Sequence, residues 1–168
     1  MGSVWRHGIW LAGTPFRRRA LEAAAAGLGG PLAIGLMEGL SFAMQYPLAI
    51  IPFATSIVLV IASPEAEPSQ PRALVGGHVV SALVGLAVLA FTGPSARAAA
   101  AAVGLAILAM VISGTFHPPA GINPLLVVSN GLGWSFLFAP VLAGALLLLL
   151  FAYGWHRLHR RPWPRRWL

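Results

Sequence analysis

The stretch Leu74–Phe91, LVGGHVVSALVGLAVLAF, runs without a single Asp, Glu, Lys or Arg and decides the fold. As a helix it rises about 27 Å, close to the roughly 30 Å of a bilayer's hydrocarbon core. Working outward, three more stretches are long and apolar enough to cross: Ala20–Met44, which carries Glu22 and Glu38, Ala98–Thr115 and Trp134–Tyr153. Two shorter apolar pieces, Leu48–Ala62 and Pro118–Ser129, lie between them, each entered through proline and carrying hydroxyl or amide side chains. The first would reach only about 22 Å as a helix, marginal for a full crossing. These lengths predict an all-α membrane protein with four long transmembrane helices plus two short broken or re-entrant helical segments. Six crossings are the alternative.

The order is long, short, long, and again long, short, long, divided at the turn Thr92-Gly93-Pro94-Ser95. It predicts two similar halves, 20–92 and 98–156, within one membrane domain spanning 1–168. Interrupted segments in matching positions point to a transporter's central site, because broken backbone is tolerated in lipid only where it lines a cavity or is buried in protein.

Composition supports the same class. Of 168 residues, 58% are hydrophobic and 9% charged, with a mean hydropathy of +0.80, whereas soluble domains run near 25% charged. The net charge of +7 is concentrated at the ends. Arg6 and Arg17–Arg19 lie in a basic N-terminal segment, 1–19; Arg157, Arg160, Arg161, Arg165 and Arg166 form a basic tail, 157–168. That pattern matches the positive-inside rule and not a nucleic-acid groove, so both ends are expected to be cytoplasmic and the crossings even in number. With re-entrant short pieces Glu65 and Glu67 would lie outside and the turn before Arg97 inside, an arrangement the charges favour; six crossings would put Arg97 outside. The N-terminus lacks a small-residue cleavage pattern and is expected to be retained. Without cysteine, disulfides and thiolate metal sites are excluded. An all-Arg basic complement in an Ala-, Gly- and Pro-rich chain suggests a GC-rich bacterial source, hence a multi-pass protein of the bacterial inner membrane.

Gly77, Ser81 and Gly85 recur every four residues and give one helix a stripe of small side chains that another backbone can approach. Gly35 and Gly39 repeat the spacing. Such stripes join helices either within a subunit or between subunits. Trp155, Trp163 and Trp167, beside the terminal arginines, read as interfacial anchors.

The most unusual segment is Phe116-His117-Pro118-Pro119-Ala120-Gly121-Ile122-Asn123-Pro124. A helix cannot run through it undisturbed, yet Pro118 and Pro119 suit the first turn of a new one, with His117 at the break. A rigid kink whose histidine caps preceding carbonyls is the plainer reading. With this tripeptide the chain resembles the HPP family of integral membrane proteins. Ser69-Gln70-Pro71-Arg72-Ala73-Leu74-Val75-Gly76-Gly77-His78, then Ser81–Gly85, is similar to the family's Gln-Pro-Arg and Gly-Gly-His signature; Pro52-Phe53-Ala54-Thr55-Ser56 is similar to its serine motif before an apolar run. The resemblance covers about 48–130, with Asn123-Pro124 departing from the Thr-Ala type of other members. It implies a compact multi-helix membrane protein, and plant and cyanobacterial members are associated with nitrite transport.

The expected function is therefore a membrane channel or transporter for a small inorganic anion, nitrite among them, and not an enzyme. Its pathway residues would be His117, Ser56, Thr55, Asn123, His78, Arg72 and Glu38, shaped by Pro118, Pro119, Gly121, Pro52 and Gly77. Helix starts at Pro52 and Pro118 would aim N–H groups at an anion. Arg72 and His78 would add positive potential on the approach. Glu38, inside the first long helix, is costly if ionised and would relay a proton or sit near the outer interface. Alternatives are a haem- or metal-binding protein using His78 and His117, or a non-transporting scaffold. No cofactor or metal is expected. The expected partners are a small anion, the bilayer and further copies of the chain.

Overall fold

The computed structural model describes residues 15–45 and 51–167; the first residues of the Leu48–Ala62 piece, and the N-terminal segment up to residue 14, lie outside them. All regular structure among the described residues is helical. Helix α1 spans Phe16–Met44, α2 Ala54–Ala62, α3 Pro71–Thr92, α4 Ala96–Ile112, α5 Ile122–Asn130 and α6 Trp134–Leu158. Single 3₁₀ turns, Glu67–Ser69 and Pro118–Gly121, precede α3 and α5.

Local chemistry sets these boundaries. Pro71 opens α3, where its missing N–H costs nothing. Ser95 caps α4, its Oγ accepting from the Ala98 N–H at 3.1 Å. Gly93 and Gly131 stop α3 and α5 with φ of 69° and 61°, a left-handed backbone that only glycine adopts cheaply. Pro140 cannot donate inside α6, and the helix widens into a π-helical stretch, Leu137–Leu142, around it.

The direction of each helix follows from side-chain contacts. The start of α1 and the end of α6 share one face, where Arg161 Nη2 lies 3.4 Å from Glu22 Oε2. The loop 63–70 sits on that same basic face: Trp163 Nε1–H donates to Ser69 O at 3.1 Å and the Arg165 N–H to Gln70 Oε1 at 2.8 Å. A cleft of about 470 Å³ there is bordered by Arg18, Glu22, Glu65, Arg160, Arg161 and Arg165. Helix α3 leaves this face, the Gly93-Pro94-Ser95 turn lies opposite, and α4 returns, its end held where Arg72 Nη2 donates to Ser113 O at 2.7 Å.

The two short helices run between the faces in opposite directions. Helix α2 is parallel to α6, with Phe53 against Gly144 and Val60 O accepting from His156 Nε2–H at 3.0 Å. Helix α5 is parallel to α3, with Asn123 beside Ser81 and Val127 beside Gly85. The chain therefore reverses direction from helix to helix, in two halves of inverted direction. The two short helical segments are present as expected, and the placement of Glu65 and Glu67 opposite the basic ends is corrected. Glu65 borders the arginine cleft instead, because loop 63–70 is held to the C-terminal tail through Ser69 and Gln70. Helices α1, α3 and α6 are long and apolar enough to cross a bilayer, while α4 is a shorter apolar helix of 17 residues.

The main core joins α2, α3 and α6 through Phe53, Ile57, Val60, Leu74, Ala145 and Leu148. Close contact in lipid comes from packing and not from exclusion of water, hence the small residues at the seams. A Cβ on Gly77 would stand 2.6 Å from the His117 Cβ, and one on Gly85 would stand 2.7 Å from the Pro124 Cα. The Gly77-Ser81-Gly85 stripe thus joins the two halves of one chain. The Gly35 and Gly39 stripe faces outward, where an added Cβ meets nothing within 4 Å.

Candidate functional site

Where the inverted halves meet, four buried polar side chains from four segments form one hydrogen-bonded cluster. Ser56 stands in the first turn of α2, His78 in the second turn of α3, His117 just before the Pro118–Gly121 turn, and Asn123 in the first turn of α5. Ser56 Oγ lies 2.9 Å from His78 Nε2 and 2.9 Å from His117 Nε2. His117 Nδ1 reaches Pro68 O at 2.7 Å. Asn123 Nδ2 lies 3.0 Å from His78 Nδ1, 3.1 Å from His78 O and 2.9 Å from Ser81 Oγ. All five of these side chains, Ser81 included, have no exposure.

The partners assign the protons. A carbonyl only accepts, so His117 carries its hydrogen on Nδ1 and donates it to Pro68 O. In the neutral ring Nε2 is then bare and accepts from the Ser56 hydroxyl. Having spent its hydrogen, Ser56 accepts from His78 Nε2–H, and the bare His78 Nδ1 accepts from Asn123. The result is a single-direction chain of donors from Asn123 through His78, Ser56 and His117 to Pro68.

Sequence-expected residues divide by this geometry. Ser56, His78, His117 and Asn123 come together. Pro52 contributes its carbonyl, 3.4 Å from Ser56 Oγ, and Gly77 lets His117 approach. Thr55 does not join them: one residue from Ser56 is about 100° round a helix, which turns Thr55 outward. Arg72 is exposed and holds the Ser113 carbonyl, so it places no positive charge at the cluster. Glu38 is exposed on α1, away from it. Pro118 is exposed and Gly121 has no close neighbour, so their part is to break the helix and start the turn.

Ser81 and Pro68 escaped the sequence reading. Ser81 was visible only as a small residue in a stripe, and a carbonyl's role has no side-chain signal. Gln70 also proves to be a clamp, its Nε2 donating to Pro64 O at 2.8 Å and Ala66 O at 3.0 Å while Oε1 accepts from Arg165. Trp163 is not an interfacial anchor: it is 3% exposed, packed on His156 and bonded to Ser69 O. The tail folds back over loop 63–70, which buries its indole.

A haem held between the two histidines does not fit the same geometry. The rings of His78 and His117 are 5.1 Å apart, too close for a macrocycle between them. All four of their ring nitrogens are taken by hydrogen bonds.

Helices in inverted halves around a buried polar centre, three of them long and apolar enough to cross a bilayer, define a multi-pass α-helical membrane protein. The family model described as "HPP, transmembrane region" matches residues 15–164, and the chain belongs to that family. It is similar to two transmembrane proteins of Dictyostelium discoideum. One is 36% identical over 132 residues, covering 73% of this chain and 46% of the relative; the other is 38% identical over 124 residues, covering 68% and 40%. The chain thus spans less than half the length of these curated relatives. No solved structure matches it.

Proposed function

We propose that this protein carries a small polar solute across a membrane, with Ser56, His78, His117 and Asn123 at the central constriction. The observation that supports this is the opposed direction of α2 and α5, whose first turns bring Ser56 and Asn123 onto one buried cluster. Inverted halves meeting at a shared polar centre are the architecture of carriers that expose one site to either side in turn. The cluster is closed on itself, which fits a gated carrier better than an open pore. The finer reading is a small inorganic anion, nitrite by family resemblance, moved across a bacterial inner membrane with the basic face cytoplasmic. Uptake by proteoliposomes of matched protein content tests the proposal. His117→Ala and Ser56→Ala should each lower protein-dependent flux at least tenfold, and wild-type flux in both would defeat it.

A further inference from the structure

Hydrogen-bond accounting at the centre leaves one valence open. The hydroxyl of Ser56, the ring N–H groups of both histidines and the amide hydrogens of Asn123 are all spent, as is the Ser81 hydroxyl on His78 O at 3.0 Å. The atom left without a partner is Asn123 Oδ1, a fully buried acceptor. Reversing the amide does not relieve it, because Oδ1 would then face the His78 carbonyl oxygen at about the 3.1 Å now held by Nδ2. A buried acceptor of this kind calls for a donor, and a site with no free donor does not hold a bare anion. We infer that the solute occupies this centre as a neutral species presenting an O–H or N–H to Asn123 Oδ1, so that a weak oxyacid crosses together with its proton. The inference rests on the transport reading above and replaces the anion of its finer reading by that anion's conjugate acid.

Nitrite and formate are suitable probes, measured by uptake and by current on a supported membrane, with protein-free liposomes subtracted. Protein-dependent uptake should rise about tenfold for each unit the external pH falls, following the neutral acid, and carry no current. Uptake that is independent of pH, or that carries negative charge inward, would overturn the inference and leave transport standing. Absence of protein-dependent uptake of both probes at every pH would overturn inference and transport together.

A different observation concerns α1, whose most apolar stretch is only 17% buried, against 39% for α3 and 44% for α6. Gly27, Pro31, Gly35 and Gly39 form a ridge along its exposed side, and Glu38 stands beside that ridge. Elsewhere on the surface α3 and α4 enclose an apolar groove of about 590 Å³, bordered by Val84, Val88, Phe91, Ala98 and Leu105. Arg97, exposed, immediately precedes the bordering Ala98 in α4. Among the described residues neither Glu38 nor Arg97 has an ion-pair partner. Copies in one membrane share an orientation, so the α1 of one runs parallel to the α3 of another. Glu38 then lies about 24 Å from the level of Glu22, against about 30 Å from Arg72 to the turn before Arg97, a gap that an arginine side chain spans. We infer that the α1 ridge of a second copy lies in the α3–α4 groove, with Glu38 facing Arg97.

The chain has no cysteine, so Glu38→Cys and Arg97→Cys, differently tagged and co-expressed in membranes, test this directly. A disulfide between the two tags, absent when either variant is expressed alone, is expected. Self-linkage of Glu38→Cys alone would replace this interface by a symmetric α1 contact, and a monomeric mass in nanodiscs without any linkage would also overturn it.

Discussion

Gly77 is a point of close approach between the two halves beside the polar cluster, and Gly77→Ala measures how much that closeness matters. The added methyl would stand 2.6 Å from His117 Cβ and 2.7 Å from the Thr115 carbonyl. Ordinary carbon contacts begin near 3.5 Å, so something must move by roughly 1 Å. The obstacle includes backbone, and a rotamer change does not relieve it. Overpacking of this kind costs about 1–3 kcal/mol. Moving His117 also lengthens its bonds to Ser56 and Pro68, now 2.9 and 2.7 Å, and each net loss adds about 1 kcal/mol. The sum, about 3–5 kcal/mol, should lower the detergent melting temperature by roughly 6–20 °C at 2–4 °C per kcal/mol. Gly104→Ala is the control, because a Cβ there meets nothing within 4 Å and helix propensity improves by nearly 1 kcal/mol. Melting of Gly77→Ala within 1–2 °C of wild type, well below that estimate, would refute the seam as the constraint that sets the cluster.

Other outcomes follow from the same contacts. Trp163→Ala should destabilise by about 3–5 kcal/mol, since the ring is buried and donates to Ser69 O; Trp167→Ala, exposed, should leave the melting temperature within about 1–2 °C of wild type. Gln70→Leu strips partners from Pro64 O, Ala66 O and the Arg165 N–H; it should cost about 2–4 kcal/mol and make the tail a substrate for limited proteolysis. For topology, Glu65→Cys and Arg166→Cys in the cysteine-free chain should label from the same side of a sealed vesicle and Gly93→Cys from the other, and labelling of Glu65→Cys from the side opposite Arg166→Cys would rule out loop 63–70 on the basic face.

Much of the fold is legible in the residues because it is local. Hydrocarbon-length apolar runs, proline at helix starts and glycine at helix stops act over a few residues, so the six segments stand near where hydropathy and punctuation put them. Their directions were not local. Glu65 reads as an outer-side charge until its neighbours across the chain, Arg160 and Arg161, are known. The cluster divides in the same way. His117 and Ser56 are conspicuous as polar residues beside prolines, and Asn123 as an amide in an apolar piece. Thr55 carries the same chemistry one position from Ser56, and only the helix phase turns it away. Arg72 looked like a source of positive potential until its reach to Ser113 was fixed by the antiparallel packing of α3 and α4. Trp163 looked like a membrane anchor until the tail folded over the 63–70 loop. Residue type and spacing determine where helices begin, end and tolerate close neighbours. Hydrogen-bond partners separated by 22 to 61 positions are decided by tertiary packing, because only the assembled halves remove the water and lipid alternatives that each polar group would otherwise have.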